Sequence, residues 1–410
     1  NAEVIFLRQN YRSTQTILDA ATAIIAKNHS GGSNRLFTDA SEGEKIYIRE
    51  AHDEEEEARY VIEVIKKNAL QDISKPGECA VMYRTNAQSR VLEEAFVRAG
   101  VPYRLLGATR FYARREIKDL LAYIRLIYNP RDTVSLDRII NVPARGIGSK
   151  TQNVFREYCV KLDVNPVSLL LELADNGPDH EHYKALGTRV ARPLVAFGHL
   201  LARWLDCEDN GQTVAELLDL IIQDTNYEEF INSGKTSSSD RWENVEELRK
   251  VFLNFADRDL GDILEQISLV ADVDDLGVEL DGSGAPALMT LHAGKGLEFT
   301  SIFIIGLNDG VLPHRRSFDE PEEMAEERRL LYVGMTRAKK VIHLSHTFRR
   351  WNFGYDSIGI PSRFLKDLPV DLLTGDVIKK EPRSQTDWSR TDVVKSQSVS
   401  NVARSPVEIQ

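Results

Sequence analysis

The sequence has few cysteines and no long run of apolar residues. The chain has three cysteines, Cys79, Cys159 and Cys207. They are odd in number and so far apart that no two of them form a CxxC pair. This pattern argues against a disulfide framework and against a zinc site, so the sequence predicts no bound metal and a reducing, cytoplasmic location. No apolar run approaches the roughly 18–20 residues that a membrane span needs, and no membrane partner is predicted.

The N-terminus lacks both a starting methionine and the features of a secretory signal. The chain opens with Asn1, Ala2 and Glu3 and reaches Arg8 before any long apolar stretch. A signal peptide has a different order, with a basic start, an apolar centre and small residues at its end. We therefore expect this chain to be a piece of a larger protein. Its 410 residues are enough for two or three domains.

Positive charge is in deficit. The chain has 52 Lys and Arg against 63 Asp and Glu, which gives a net charge of −11. This balance argues against a protein that coats nucleic acid, although local positive grooves can still bind DNA. Part of the acidic excess is clustered at 53–57, as expected at the start of a helix.

Strand and helix patterns alternate at both ends of the chain. Alternation of this kind predicts an α/β fold with a parallel sheet. Helical patterns at 54–67, 86–99 and 321–339 separate the strands. The predicted strands are 45–49, 79–83, 103–106, 287–291, 301–305 and 341–345.

The central part of the chain has almost no strand pattern. We therefore predict a RecA-like sheet domain formed by 1–107 and 281–370, interrupted by a mostly helical domain at 108–280. Pro193 is assigned to a first helical position, where its missing N–H has no consequence. The tail at 371–410 is polar and rich in Ser, and we expect it to be disordered. The predicted helices of the insertion are 116–128, 151–161, 193–205, 214–222, 242–257 and 260–271.

The sequence contains no phosphate-binding loop of the form GxxxxGK followed by Ser or Thr. Two segments come near it. In 146–151 a Ser separates the second Gly from the Lys, and 293–296 lacks both the upstream Gly and the final hydroxyl. Neither can provide an amide cradle together with a magnesium-binding hydroxyl. We therefore expect that the chain alone does not hydrolyse ATP.

Three other segments carry residues suited to nucleotides or nucleic acids. Segment 7–13, LRQNYRS, sets an aromatic ring beside a guanidinium in front of a helix. Segment 289–299, MTLHAGKGLEF, follows a strand and has two glycines that let a ligand approach the backbone. Its His292, Lys295 and Glu298 are expected at the tip of the sheet, where α/β proteins bind ligands. The third segment, 326–338, is EERRLLYVGMTRA.

Each of these segments also has a plain structural explanation. The first fits a buried tyrosine beside a surface arginine, and the second fits a polar turn whose glycines only permit the bend. The third fits an amphipathic helix in which acids and bases pair three or four residues apart, with Arg328 and Arg329 among them.

Taken together and in this order, QNYRS, LHAGKGLEF and EERRLLYVGMTRA resemble the motifs of the UvrD/PcrA/Rep helicases of superfamily 1. YRTNAQSR at 83–90 and RFY at 110–112 are also similar to segments of that family. The resemblance covers about residues 1–368. It implies the second RecA-like subdomain of an ATP-dependent 3′→5′ DNA helicase that acts in DNA repair or replication restart. The half with the phosphate-binding loop would lie upstream of Asn1.

The resemblance implies a site for ATP and Mg²⁺ between two RecA-like subdomains. Tyr11 would stack on the adenine, and Gly296 and Glu298 would approach the ribose and phosphates. Arg12 and Arg337 would be the catalytic residues, reaching the γ-phosphate as arginine fingers. Such guanidiniums stabilise the negative charge that spreads over the transferred phosphoryl group.

The resemblance also places Arg84, Asn86 and His292 near single-stranded DNA, with contacts to phosphate or sugar that carry no sequence information. For Asn86 a helix cap is an alternative, and both roles could hold together. Segment 142–151, VPARGIGSKT, resembles the turn of a helix–hairpin–helix. Gly146, Ile147, Gly148 and Lys150 are therefore expected to hold duplex DNA, because glycines expose amides at a helix start. The alternative is an ordinary tight turn.

The implied partners are single-stranded DNA, a duplex junction and the upstream motor half, with repair proteins or RNA polymerase as further candidates. Some members of the family carry a C-terminal module that binds RNA polymerase, but the short tail here does not assign that partner. An alternative function is a stand-alone, non-catalytic DNA-binding or regulatory module that has the helicase shape. A helicase–nuclease subunit is a third reading, and no downstream nuclease signature supports it.

Overall fold

Seven parallel strands form the main sheet of the computed structural model, which describes residues 8–28, 36–233, 238–255, 258–275, 284–352 and 355–376. In chain order, the strands are β1 (Gln9–Asn10), β2 (Phe37–Thr38), β3 (Ile46–Ala51), β4 (Cys79–Tyr83), β5 (Arg104–Leu106), β6 (Ala287–Thr290), β7 (Phe299–Ile304), β8 (Ala338–Thr347), β9 (Arg349–Asn352), β10 (Tyr355–Ile358) and β11 (Leu373–Gly375). The order in the main sheet is β11-β3-β8-β7-β4-β6-β5. Each pair of neighbours in it is parallel, which confirms the predicted sheet.

Helices precede, connect and separate the strands along the described chain. These are α1 (Gln15–Ile25), α2 (Glu54–Leu70), α3 (Ser89–Arg98), α4 (Arg115–Tyr128), α5 (Thr133–Ile139), α6 (Ser149–Leu162), α7 (Pro166–Asn176), α8 (Glu181–Leu186), α9 (Thr188–Asp209), α10 (Val214–Thr225), α11 (Tyr227–Asn232), α12 (Ser238–Leu253), α13 (Leu260–Asp275) and α14 (Pro321–Met335). Between β5 and β6 the described residues form helices and no strand, which confirms the predicted helical insertion. Among the helices that the structure describes, none is long and apolar enough to cross a membrane.

On one face of the sheet, alternate residues of β4 pack against α2 and α3. Val81 and Tyr83 of β4 belong to one core cluster with Val61 and Ile65 of α2 and Phe96 of α3. The helix α2 begins where the Asp53 side chain accepts a hydrogen bond from the Glu56 N–H at 2.8 Å. Four glutamates then fill its first turn, where the helix dipole favours negative charge, as the sequence predicted.

The helical insertion has its own hydrophobic core. The cluster runs from Phe111 to Ile267 and includes the fully buried Trp204, whose Nε1–H donates to Asp224 at 2.9 Å. Contacts nevertheless join the insertion and the sheet in one unit, residues 1–377. The domain boundaries at 107/108 and 280/281 therefore stay a prediction.

Two predictions about single elements are wrong. The helix α9 begins at Thr188, so Pro193 lies inside it and not at its first position. The apolar residues with helical spacing begin before the proline. Burial of Ala191 and Leu194 stabilises the helix although Pro193 has no N–H to donate. In the predicted tail, β11 pairs with β3 and Leu373 is buried, because the strand completes the sheet edge. Residues 377–410 of that tail lie outside the described residues.

Candidate functional site

A carboxylate held between two cations lies in front of β7. The Nε–H of Arg12 donates to Glu298 Oε2 at 2.8 Å, and Lys339 Nζ lies 2.8 Å from Glu298 Oε1. The hydrogen bonds from Lys339 and Arg12 lower the pKa of Glu298 to about 2. Glu298 is therefore ionised at neutral pH and orients both cations.

The guanidinium of Arg337 lies next to that of Arg12. Arg12 donates to the backbone carbonyl of Thr336 at 3.3 Å, and Arg337 donates to the Thr336 hydroxyl at 3.2 Å. A further hydrogen bond, to the Val333 carbonyl at 3.1 Å, fixes Arg337. Burial and the positive charge of Arg12 lower the pKa of Arg337. The predicted convergence of these two arginines is therefore present in the structure.

The turn before α1 holds Arg12 at the start of β8. The Asn10 side chain accepts hydrogen bonds from the N–H groups of Arg12 and Ser13, at 2.8 and 2.9 Å. The buried Ser13 hydroxyl donates to the carbonyl of Ala338, the first residue of β8, at 2.6 Å. Because α1 also packs on α14, the segment with Arg12 and the segment with Arg337 are fixed to each other.

Tyr11 and Gly296 are both open to solvent. Tyr11 is 85% exposed and its hydroxyl donates to Gln9 at 2.7 Å, so the alternative of a buried tyrosine is wrong. Gly296 has a φ of +89°, and a Cβ built there would meet no atom within 4 Å. The positive φ alone explains the glycine. The open space in addition lets a ligand approach its backbone.

The structure separates candidates that were expected to lie together at the tip of the sheet. His292 follows β6 and lies at its carboxyl end, whereas Glu298 directly precedes β7 and Arg337 directly precedes β8. Since β6 and β7 are both parallel to β4, the connection 291–298 must cross from one edge of the sheet to the other. The expectation that His292 and Glu298 share one tip is therefore wrong. One candidate site therefore lies at the amino ends of β7 and β8, the amino edge of the sheet. The other lies at the carboxyl ends of β4 and β6, the carboxyl edge.

At the carboxyl edge, Arg84 forms a bidentate ion pair. Its Nη2–H donates to Glu327 Oε1 at 2.7 Å, and its Nε–H lies 2.9 and 3.1 Å from Oε1 and Oε2. Glu327, which is buried, also accepts the His314 N–H at 3.0 Å. Burial and the positive charge of Arg84 lower the pKa of His292. The pair fixes the direction of Arg84, and a phosphate would have to share or displace Glu327.

Asn86 is the first residue of a short 3₁₀ turn, Asn86–Gln88, that leads into α3. The residue that precedes this turn is Thr85 and the one that precedes α3 is Gln88. The alternative that Asn86 caps a helix is therefore wrong. Its Oδ1 is buried and has no hydrogen-bond partner among the described residues. Buried polar atoms are nearly all paired in proteins, so this oxygen lacks a donor that a ligand or water would provide.

In the insertion, Gly146 and Gly148 stand before α6. Gly146 has a φ of +79°, Gly148 directly precedes the helix, and neither has an atom within 4 Å of a built Cβ. Lys150, in the first turn, is exposed. The turn therefore offers open backbone and a positive charge at a helix N-terminus, a combination that suits a phosphate.

Ile147 does not fit the DNA contact predicted for it. Its side chain is fully buried in the core of the insertion. Its N–H donates to Asn141 at 3.1 Å, and its carbonyl accepts from Gln152 at 3.0 Å. The residue therefore anchors the turn, because both of its polar groups and its side chain are already engaged.

Two charged residues of the sites were missed in the sequence. Lys339 lies two residues beyond Arg337, and only its contact with Glu298 reveals it. Glu327 lies within the quoted motif, but its partner Arg84 is 243 residues away. By contrast, Arg328 pairs with Asp367 and Arg329 pairs with Glu326. Arg329 matches the predicted pairing within the helix, whereas the partner of Arg328 lies 39 residues away and outside the helix.

Comparison with known proteins shows the family of the chain. The family model of the UvrD-like helicase C-terminal domain matches residues 5–348. Three similar proteins are named ATP-dependent DNA helicase PcrA. They come from Staphylococcus epidermidis (37% identical over 397 residues), Bacillus subtilis (38% over 392) and Staphylococcus aureus (39% over 381).

The alignments cover 94, 94 and 91% of this chain but 52, 52 and 50% of those proteins. The chain thus spans about half the length of the curated relatives it matches. The parallel sheet, its helical insertion and the matched residues all support one assignment: the chain belongs to the family of UvrD-like helicase C-terminal domains.

Proposed function

We propose that this chain is the second motor subdomain, with its helical insertion, of an ATP-dependent 3′→5′ DNA helicase. The helicase would act in the cytoplasm, in DNA repair or replication restart. The observation that supports this most strongly is the pair of arginines, Arg12 and Arg337, beside Glu298 at the amino ends of β7 and β8. The names of the relatives support ATP and DNA as its ligands.

The residues at this edge fit a nucleotide. Tyr11 presents an exposed ring that would stack on a base, and the open backbone at Gly296 would admit a ribose or phosphate. Both oxygens of Glu298 are engaged, one by Arg12 and the other by Lys339. We infer that Arg12 leaves Glu298 for the γ-phosphate, since the phosphate carries more negative charge than one carboxylate. One oxygen of Glu298 then becomes free to accept a ribose hydroxyl.

Arg12 and Arg337 would act together on the transferred phosphoryl group. Its three oxygens share negative charge as the bond to the β-phosphate breaks, and fixed guanidiniums stabilise that charge. Hydrogen bonds from Arg337 to Val333 and Thr336 hold it in position before the reaction. ATP hydrolysis supplies the free energy for movement along DNA. We propose that the phosphate-binding loop and the ligands for Mg²⁺ come from the upstream half.

The opposite edge would contact DNA. Arg84, Asn86 and His292 lie at the carboxyl ends of β4 and β6, and the unpaired Oδ1 of Asn86 supports a ligand there. We propose sequence-neutral contacts to single-stranded DNA, through phosphate and sugar. The insertion at 108–280 would hold the duplex junction through Gly146, Gly148 and Lys150. Limited proteolysis that releases the insertion intact would support its boundaries.

Two activities test this proposal. The intact protein should unwind a duplex with a 3′ single-stranded tail and not one with a 5′ tail. The 410-residue chain alone should hydrolyse no ATP above a matched control, with or without DNA. ATP hydrolysis by the chain alone, or unwinding that ignores tail polarity, would contradict the proposal. A native protein with the mass of this chain, found by mass spectrometry, would instead favour the non-catalytic DNA-binding module.

A further inference from the structure

Three potential metal ligands meet in the helical insertion, and none of them belongs to the candidate sites described above. Glu172 lies on α7, His180 directly precedes α8, and His182 lies in the first turn of α8. The Nε2 atoms of His180 and His182 are 3.4 and 3.7 Å from the same oxygen, Oε1 of Glu172. One ligand atom of each of the three residues lies within 4.8 Å of the others.

We propose that Glu172, His180 and His182 form a binding site for a divalent transition metal ion of the zinc class. Two imidazole nitrogens and one carboxylate oxygen are ligands that zinc accepts, with a water in the fourth position. In a tetrahedral site with bonds of about 2.0–2.1 Å, neighbouring ligand atoms lie about 3.3 Å apart. The distances from Glu172 Oε1 to the two Nε2 atoms, 3.4 and 3.7 Å, are close to that value. Ca²⁺ and Mg²⁺ are disfavoured, because they prefer sites made of oxygen ligands.

A second-layer contact supports the site. The Tyr158 hydroxyl of α6 lies 3.0 Å from Nδ1 of His182. When Nδ1–H donates to the phenol oxygen, the Nε2 lone pair of His182 is directed toward the ion, which is how ligand histidines are commonly oriented. Nδ1 of His180 accepts a long hydrogen bond from the His182 N–H, at 3.4 Å. Metal binding at Nε2 of His180 would leave the ring proton on Nδ1, so Nδ1 could no longer accept this hydrogen bond. The loss is modest, because the bond is long.

The local chain geometry explains why these residues meet. Gly177, with a φ of +64°, ends α7, and a 3₁₀ turn then reverses the chain at Gly177–Asp179. The reversal returns the two histidines to the side of α7 that carries Glu172. The side chains of Glu172, His180 and His182 are 45, 22 and 16% exposed, so an ion can reach them from solvent. No cysteine takes part, and cysteine spacing therefore could not have predicted the site.

Zinc binding to the complete 410-residue chain tests the proposal. After chelator treatment and buffer exchange, Zn²⁺ is titrated by calorimetry, and Co²⁺ is used as a spectroscopic probe of tetrahedral geometry. We expect one Zn²⁺ per chain for wild type and for the control H199A, which removes an exposed histidine from α9 of the same insertion. H180A, H182A and E172Q should each weaken binding at least about tenfold, and Y158F about 10–100-fold.

Three separate ligand variants keep the test decisive if one of them fails to fold, which circular dichroism would detect. Zinc should also raise the melting temperature of wild type and H199A but not of the ligand variants, because only a metal bound by the native fold stabilises it. The proposal is overturned if wild type binds no zinc. It is also overturned if the folded ligand variants bind zinc as tightly as H199A does.

Discussion

Replacing Glu247 by Gln should weaken the contact between the insertion and the sheet. Glu247 of α12 accepts from Arg90 of α3 at 2.8 Å and lies 3.0 Å from Lys250 Nζ. The Arg90 and Glu247 side chains are 11 and 9% exposed, so the pair is nearly dry. Burial alone would raise the pKa of Glu247, but Lys250 and Arg90 outweigh it and hold the pKa at about 2.

The lowered pKa of Glu247 sets the expected loss of stability in E247Q. A fall from the usual 4.5 to about 2 corresponds to about 3 kcal/mol of stability at neutral pH. Removal of one partner of a buried ion pair costs about 3–5 kcal/mol when the other charge is left unpaired; Arg90 keeps Glu94 at 2.9 Å, so we expect a loss at the lower end of that range. Because the folded pKa is the lower one, the stabilisation is present above about pH 4.5 and is lost as the pH falls toward 2.

The assay is urea unfolding followed by tryptophan fluorescence, since Trp204 and Trp242 both lie in the insertion. E247Q should lower the free energy of unfolding by about 3 kcal/mol at pH 7, and the difference should shrink below pH 4.5. The matched control is D219N. It removes the carboxylate of the pair between Arg249 of α12 and Asp219 of α10, whose side chains are 34 and 43% exposed, and should change stability by about 1 kcal/mol or less. Equal effects of the two variants would refute the reasoning.

Three further predictions concern the candidate sites in the intact protein. Valine at both Gly146 and Gly148 should reduce unwinding more than single-strand-stimulated ATPase, because it blocks the backbone approach to duplex phosphate; equal loss of both activities, or no loss, would contradict this. Arg84→Ala should weaken single-strand binding alike for all sequences and lower the salt slope by about 1, as measured by fluorescence anisotropy at several salt concentrations. Lys339→Met should raise the pKa of Glu298 toward its usual value, measured by carboxyl NMR titration; an unchanged pKa would show that Arg12 alone holds it down.

The strands and helices that depend on local pattern were predictable from the sequence. The central strand β4 is buried on both faces, so it is one apolar run, and its predicted and observed bounds agree at 79–83. The edge strand β11 has three residues in a polar context. It exists only because it pairs with β3, far away in the chain, and no local pattern indicates it.

The same distinction applies to the candidate sites: residues in recognisable motifs could be predicted, and contacts between distant segments could not. Arg12 and Arg337 stand in motifs that resemble a known family, so their convergence could be predicted. The ion pair between Arg84 and Glu327 and the approach of Lys339 to Glu298 depend on how the sheet and α14 pack. The crossing of 291–298 follows from the parallel direction of β6 and β7, so the predicted parallel sheet already implied it.

The most direct test of the account is the DNA-stimulated turnover of ATP by the intact protein carrying Arg337→Ala. The account predicts that kcat falls by about 10³-fold or more, because an arginine finger acts on the transition state, while ATP and DNA still bind. Arg329→Ala is the control, since Arg329 pairs with Glu326 on the surface of the same motif and should leave kcat unchanged. A kcat for Arg337→Ala within a few-fold of the control value would contradict the central claim.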